Sequence, residues 1–161
     1  MLTLHVPALD ELWFRQQMLA DPVTMAYNRA WGGAIPFPRE TWRSWFDRWI
    51  AHPQEQRFYR YLRLEDPGVF VGEIACHWDD GQGKWLAHVI IHAPFRGQGY
   101  GREGLQLLCR AAGDRGVDVL HDDMASDNPA IGLFLSEGFE IEEKREQTIL
   151  LKKRLTEQRK E

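Results

Sequence analysis

Residues 93–104, APFRGQGYGREG, carry four glycines in twelve positions and stand between an apolar run, VIIH, and a segment with helical periodicity. In that segment Leu105, Leu108, Cys109 and Ala112 recur at spacings of three and four, and Gly113 or Gly116 ends it. A strand, a glycine turn and a helix in this order line up successive N–H groups at the positive end of a helix dipole. That arrangement takes a phosphate or pyrophosphate. Residues 99–104 also satisfy G-x-G-x-x-G, with Asp118, Asp122 and Asp123 roughly 20 residues downstream, as in a dinucleotide site. The surroundings oppose this. The dinucleotide pattern opens a doubly wound parallel sheet, whereas here strands with hairpin turns come first and too little chain follows. A purely structural turn needs one glycine, and Gly97, Gly99 and Gly101 exceed that.

The strands are RFYRYLRLE (57–65), VFVGEIACHW (69–78) and KWLAHVIIH (84–92), joined by DPG and DDGQG. LTLHV is a first strand and residues 8–20 a helix. Residues 21–37 form a long aromatic-bearing loop, of the kind that carries function. A helix over 38–51 places Trp42, Trp45, Phe46 and Trp49 on one face, read as a core face with ligand stacking as the alternative. VDVL (117–120) is a short strand, and DNPAIGLFLSEGF a helix with Asn128 at its N-cap and Pro129 at its first position. A hairpin closes the chain. The order β-α-α-β-β-β-α-β-α-β-β defines an α+β fold on one mixed, mostly antiparallel central sheet with helices on both faces.

A length of 161 residues suits one domain, taken as 1–155 with a frayed tail at 156–161. The formal net charge of −4 argues against nucleic acid or an anionic membrane as partner. The N-terminus has no basic region followed by an apolar one, and no apolar run approaches the roughly 18 residues of a spanning helix. Cys76 and Cys109 read as reduced, buried residues of a cytoplasmic protein. No metal is expected.

RGQGYG places Arg96, Gly99 and Gly101 in register with [Q/R]-x-x-G-x-[G/A], and the chain here resembles the GNAT superfamily of acyl-CoA-dependent N-acetyltransferases. VIIHAPFRGQGYG looks like the family's strand, bulge and turn, and DNPAIGLFLSEGF like its N-x-x-A-x-x-L-[Y/F]-x-x-x-G-F segment. The resemblance implies that the fourth and fifth strands splay around acetyl-CoA, the co-substrate. Pyrophosphate would rest on N–H groups of Arg96, Gly97, Gln98, Gly99, Tyr100, Gly101 and Arg102. Pantetheine would pair with the strand edge at Ile91, His92 and Ala93, His92 packing on the cofactor side, and Asn128 would also reach the cofactor. The loop with Tyr27, Asn28 and Trp31 would read the acceptor, and a homodimer is allowed. Many members carry a tyrosine as general acid where this chain has Phe134, which cannot donate a proton, and Ser136 lies on another side of the helix.

The reaction implied is direct attack of a neutral primary amine, from a small molecule or a peptide, on the thioester, which needs a base. Strand parity gives two candidates, Glu73 in an apolar run and His88 on the fourth strand. Glu73 reads equally as half of a structural ion pair or as part of an exposed strand face, and His88 as a satisfied structural histidine. Asp122 and Asp123, at the end of the fifth strand, would hold an ammonium group or cap a turn. A transferase for longer acyl-CoA, or a CoA-binding module without catalysis, fits the same sequence.

Overall fold

The computed structural model describes residues 1–155, so the tail expected to fray lies outside the described residues. Period-two alternation and the two hairpin turns produce a meander of β2 (Arg57–Leu64), β3 (Val69–Asp79) and β4 (Lys84–Ile91), with β1 (Leu2–His5) antiparallel to β2. With β5 (Val119–Ala125), β6 (Glu140–Lys144) and β7 (Thr148–Arg154) they form a seven-stranded sheet of order β1-β2-β3-β4-β5-β7-β6. Every pairing is antiparallel except β4 with β5. That parallel contact consists of Trp85 opposite Leu120 and Leu86 opposite His121, after which the two strands part.

Alternation sends side chains to two cores. One holds Ile74 and Cys76 of β3, Ala87 and Ile91 of β4, and Leu105, Leu108 and Ala112 of α3 (Tyr100–Asp114). Phe134 of α4 (Ile131–Ser136) joins them. The other, on the opposite face, gathers Phe14, Met18 and Leu19 of α1 (Trp13–Ala20) with Trp42 and Trp45 of α2 (Trp42–Phe46). Tyr59, Tyr61, Ala75 and Ile90 join them from the sheet. The tryptophan face expected over 38–51 is thus a core face, with Trp49 partly buried against it. The element order matches the sequence reading once the 3-10 segments and one π-helical turn are set aside; the helix expected over 38–51 is a 3-10 turn at Arg39–Thr41, α2, and a π-helical turn at Asp47–Ala51.

Three boundaries differ. The helix read at 8–20 is a 3-10 turn at Leu9–Glu11 followed by α1, and the aromatic loop carries 3-10 turns over Thr24–Trp31. β5 runs to Ala125, because its other edge pairs with β7 from Val119–Arg154 to Ala125–Thr148. Asp122 and Asp123 therefore lie inside a strand and cap no turn. α4 begins at Ile131. Asn128 serves the turn before it, its Oδ1 accepting the Ala130 N–H at 2.8 Å. Both cysteines are free, Cys76 buried and Cys109 partly so.

Gly72 of β3 stands opposite Ile91 of β4. A Cβ there would lie 2.3 Å from the Ile90 carbonyl oxygen and 3.2 Å from the Ile91 Cα, both backbone atoms. Gly72→Ala should therefore push the strands apart, at the roughly 1–3 kcal/mol typical of overpacking. Calorimetry should find a Tm lowered by about 2–4 °C for each kcal/mol lost in a chain of this size.

Candidate functional site

Where β4 and β5 part, a cavity of about 680 Å³ passes from the glycine turn, through the sheet, to the segment bearing Tyr27 and Trp31. At the first end Gly97 and Gly99 have φ of +80° and +87°, and nothing lies within 4 Å of where a Cβ would be. The first helical bond of α3 runs from the Glu103 N–H to the Gly99 carbonyl, so the N–H groups of Tyr100–Arg102 have no acceptor within the helix. An open cradle of left-handed glycines beneath a helix N-terminus fits a pyrophosphate.

Of the residues expected on the cofactor side, Ile91, Arg96, Gly97, Gly99, Tyr100, Gly101 and Asn128 line the cavity, whereas His92, Ala93, Gln98 and Arg102 do not. The strand edge expected to meet pantetheine at 91–93 is closed by the chain itself. The Ile91 carbonyl accepts from Arg96 Nε at 2.9 Å, and the His92 N–H donates to the Val71 carbonyl at 2.8 Å. The Ala93 N–H donates to Thr24 Oγ1 at 3.0 Å. The stretch of β4 left without a β5 partner starts instead at Ala87. The His92 ring does not pack on the cofactor side but meets the edge of Phe14 and lies 3.9 Å from Asp21. Both arginines hold protein: Arg96 Nη2 donates to the Thr24 carbonyl at 2.7 Å, and Arg102 pairs with Glu137 and Ser136.

On the other face of the sheet lies a charged cluster built around a fully buried carboxylate. Glu73 on β3 is fully buried. Arg15 Nη1 reaches its two oxygens at 2.7 and 2.8 Å, Tyr59 donates its hydroxyl to Oε1, and His88 Nε2 lies 2.7 Å from Oε2. Burial pushes the Glu73 carboxyl up, but the Arg15 guanidinium and the His88 hydrogen bond outweigh it and bring the pKa down to about 2. The same ion pair raises Arg15, against its own burial. The guanidinium lies over Trp45 at 4.6 Å, Phe37 at 5.1 Å and Tyr59 at 5.5 Å. Arg15, Glu73, His77 and His88 all line the cavity.

The two aspartates divide between the faces. Asp122 shares the parity of Leu120 and Met124, which pack in the α3 core, and Asp123 takes the opposite side. Asp123 Oδ2 accepts from Arg145 Nη1 at 3.1 Å, while its Oδ1 is buried without a partner among the described residues. Asp122 is 8% exposed and, among the described residues, has no hydrogen-bond partner. Burial, then the Asp123 charge, pushes its carboxyl well above the usual range. Across the split, Tyr27 is raised by burial and by the Glu73 and Asp122 charges. Tyr27, Asn28 and Trp31 line the cavity, and Asn28 also ties its loop by donating to the Gly33 carbonyl at 2.8 Å.

Arg15, Tyr59 and Thr24 escape a reading of motifs. Arg15 had a signal: it sits in the helical stripe of Leu12, Met18 and Leu19, the only cation in an apolar row, while Glu73 lacked a partner. Tyr59 and Thr24 had none, since their hydroxyls matter only through long-range contacts.

A sequence profile of the GNAT acetyltransferase domain matches residues 2–137. A search of curated protein sequences finds no match. Among solved structures, spermidine N-acetyltransferase from Vibrio cholerae, in complex with CoA and spermine, superposes with a TM-score of 0.75 at 16% identity, covering 99% of this chain and 98% of that one. An N-acetyltransferase from Staphylococcus aureus Mu50 gives 0.75 at 15%, covering 96% and 99%. The yncA protein of Salmonella typhimurium, solved with acetyl-CoA, gives 0.70 at 18%, covering 96% and 94%. At these identities the superpositions show a shared fold alone. Among the described residues, no helix is long and apolar enough to cross a membrane.

Glu73 titrates at about 2 in the folded chain against 4.5 when free, so its stabilisation is complete above about 4.5 and lost as pH falls towards 2. Arg15→Met leaves the carboxylate buried without its cation and should cost about 3–5 kcal/mol. Urea unfolding followed between about pH 3 and 7 should show the wild type gaining stability as pH rises through this window, a gain the variant lacks.

Proposed function

This chain belongs to the GNAT acetyltransferase family, and within it we propose transfer of the acetyl group of acetyl-CoA to a primary amine of a small molecule or peptide, with His88 as base. The observation that carries this reading is the cavity through the sheet, which has a phosphate cradle at one end and the Glu73–His88 pair in its wall. Gly97, Gly99 and the N–H groups opening α3 would hold the pyrophosphate, and acetyl-CoA supplies an activated thioester. The amine enters from the side of Tyr27 and Trp31, whose rings would flank it.

An alkylammonium has a pKa of about 10.4 and must shed a proton before it attacks. Glu73 is poorly suited to take it, because four hydrogen bonds and a pKa near 2 leave its carboxylate little basicity. Its role is positional. With Nε2–H directed at Glu73 Oε2, the His88 imidazole is held in the tautomer whose Nδ1 carries the lone pair. His88 is 38% exposed and in the cavity wall, so this base meets the amine while Glu73 stays dry and stabilises the imidazolium that forms. Asp123, on the same face, adds negative charge for an ammonium group to approach.

Acetyl-CoA at a hundredfold excess over Kd should stabilise the fold by about 2.7 kcal/mol, seen as a raised Tm; no shift would remove the donor and the proposal with it. Thiol release across a panel of amines then separates enzyme from binder, since binding without turnover on any amine leaves only a CoA-binding module. On the best amine, His88→Ala should lower kcat on the order of 10²-fold. Glu73→Gln should lower kcat more than acetyl-CoA affinity. Full activity in the His88 variant assigns the base elsewhere.

A further inference from the structure

A base on one face of the sheet leaves the departing sulfur on the other face without a proton donor. Phe134 offers none: it is buried and stacks edge-on against Phe139, with centroids 4.9 Å apart. Ser136 is spent, donating to the Leu133 carbonyl at 2.7 Å and accepting from Arg102 at 3.0 Å. Tyr100 opens α3 beside the glycine turn, at the phosphate end. Tyr27 packs with the α1 and α2 core, on the acceptor side, and is held well above the ordinary phenol range.

Asp122 meets the need. It is the first residue of β5 beyond the last pair with β4, Leu86 opposite His121, so it stands where the split opens. It shares the face of Met124 and Phe134, and all three line the cavity. Its carboxyl is buried from bulk solvent, has no hydrogen-bond partner among the described residues, and opens on the cavity. Burial, then the Asp123 charge, raises the proton affinity of this carboxyl well above the usual carboxylate range, which favours its acid form. The titratable groups around it are Asp123 on its own strand and Tyr27 across the split; Trp85, Ala87 and Val89 of β4, Leu133 and Phe134 of α4, and its partner Leu151 on β7 are apolar.

We propose that Asp122 is the general acid of the transfer, supplying the proton for which Phe134 has no group. The inference rests on the transferase reading above. His88 Nδ1 passes the ammonium proton to solvent before attack; the neutral amine nitrogen then forms its bond to the acetyl carbon and yields its second proton to the freed His88 Nδ1. As the carbon–sulfur bond breaks, its electron pair stays on sulfur and Asp122 gives that sulfur its proton. Solvent reprotonates Asp122 and takes the proton from His88 when the site opens. One N–H and one thioester thus become one amide and one thiol.

Asp122→Asn keeps the volume and removes the acid. Its Tm should equal or exceed that of the wild type, and acetyl-CoA should raise that Tm as much as before. On an amine the wild type acetylates, kcat should fall on the order of 10²-fold, with KM for both substrates within about threefold (~0.7 kcal/mol). The alkaline fall in wild-type kcat, where Asp122 loses its proton, should be absent from the variant. Infrared spectra of the wild type at neutral pH, without ligand, should contain a protonated-carboxyl carbonyl band that the variant lacks. Asp122→Leu, suited to the apolar surroundings, should bind acetyl-CoA and lose turnover in the same way. Wild-type kcat in either variant, or no protonated-carboxyl band, overturns the proposal. A raised KM for the amine with kcat kept makes Asp122 an ammonium anchor instead, and lost acetyl-CoA affinity with kcat kept makes it a cofactor contact; both overturn it. A wild type that binds acetyl-CoA but acetylates no amine overturns the transferase reading and the acid together.

Discussion

The buried Arg15–Glu73 ion pair constrains the rest of this fold. Two charges taken out of water cost several kcal/mol each, and attraction repays that only with full hydrogen bonding in good geometry. Here Glu73 takes two bonds from Arg15, one from Tyr59 and one from His88, while the rings of Trp45, Phe37 and Tyr59 surround the guanidinium. The chain's aromatic wealth thus has a physical use: it covers a cation that could not otherwise lie under a helix. The pair locks α1 to β3 at one register, and the carboxylate left over aims the His88 ring.

The split between β4 and β5 is held open from both sides. Each strand is fully paired on its outer edge, β4 with β3 and β5 with β7, so each is held in the sheet where the two part, while the N–H and C=O groups of its inner edge are left to face the split. The turn after β4 is fastened to the segment around Thr24, whose hydroxyl holds the Ala93 N–H and whose carbonyl accepts from Arg96. Arg96 is therefore a clamp that fixes the glycine cradle against the acceptor side. A residue singled out for a phosphate does its visible work on the protein backbone.

Much of this was legible in the residues. Alternation and hairpin turns carry the meander, the glycines mark the turn that opens α3, and strand parity singles out Glu73 and His88, which the register of β3 with β4 then brings to one face. The misreadings share a cause. β5 was ended at Leu120 because apolar periodicity lapses at His121–Asp123, yet backbone pairing with β7 carries the strand through. The strand edge at 91–93 was read as open because its closure depends on Thr24 and Arg96 side chains, and local pattern contains no such contacts. His92 is placed on the cofactor side by the resemblance alone, and its ring turns instead to the edge of Phe14.

Two buried carboxyls lie along one cavity with their proton affinities pushed in opposite directions, and partners rather than burial decide the difference. Glu73 is more deeply buried than Asp122, yet it has a guanidinium, a phenol and an imidazole, and so remains a carboxylate. Asp122 is buried, has no hydrogen-bond partner among the described residues and has a second carboxylate next in sequence, and so its proton affinity is pushed up. Environments that split like groups in this way assign acid and base roles at neutral pH. In the proposed transfer His88, aimed by Glu73, takes the amine's proton on one face, and Asp122 gives a proton to sulfur on the other. The sheet separates the two, so the acid and base cannot neutralise each other directly. The cavity through the split joins the two faces, and in the proposed transfer the reacting carbon sits there.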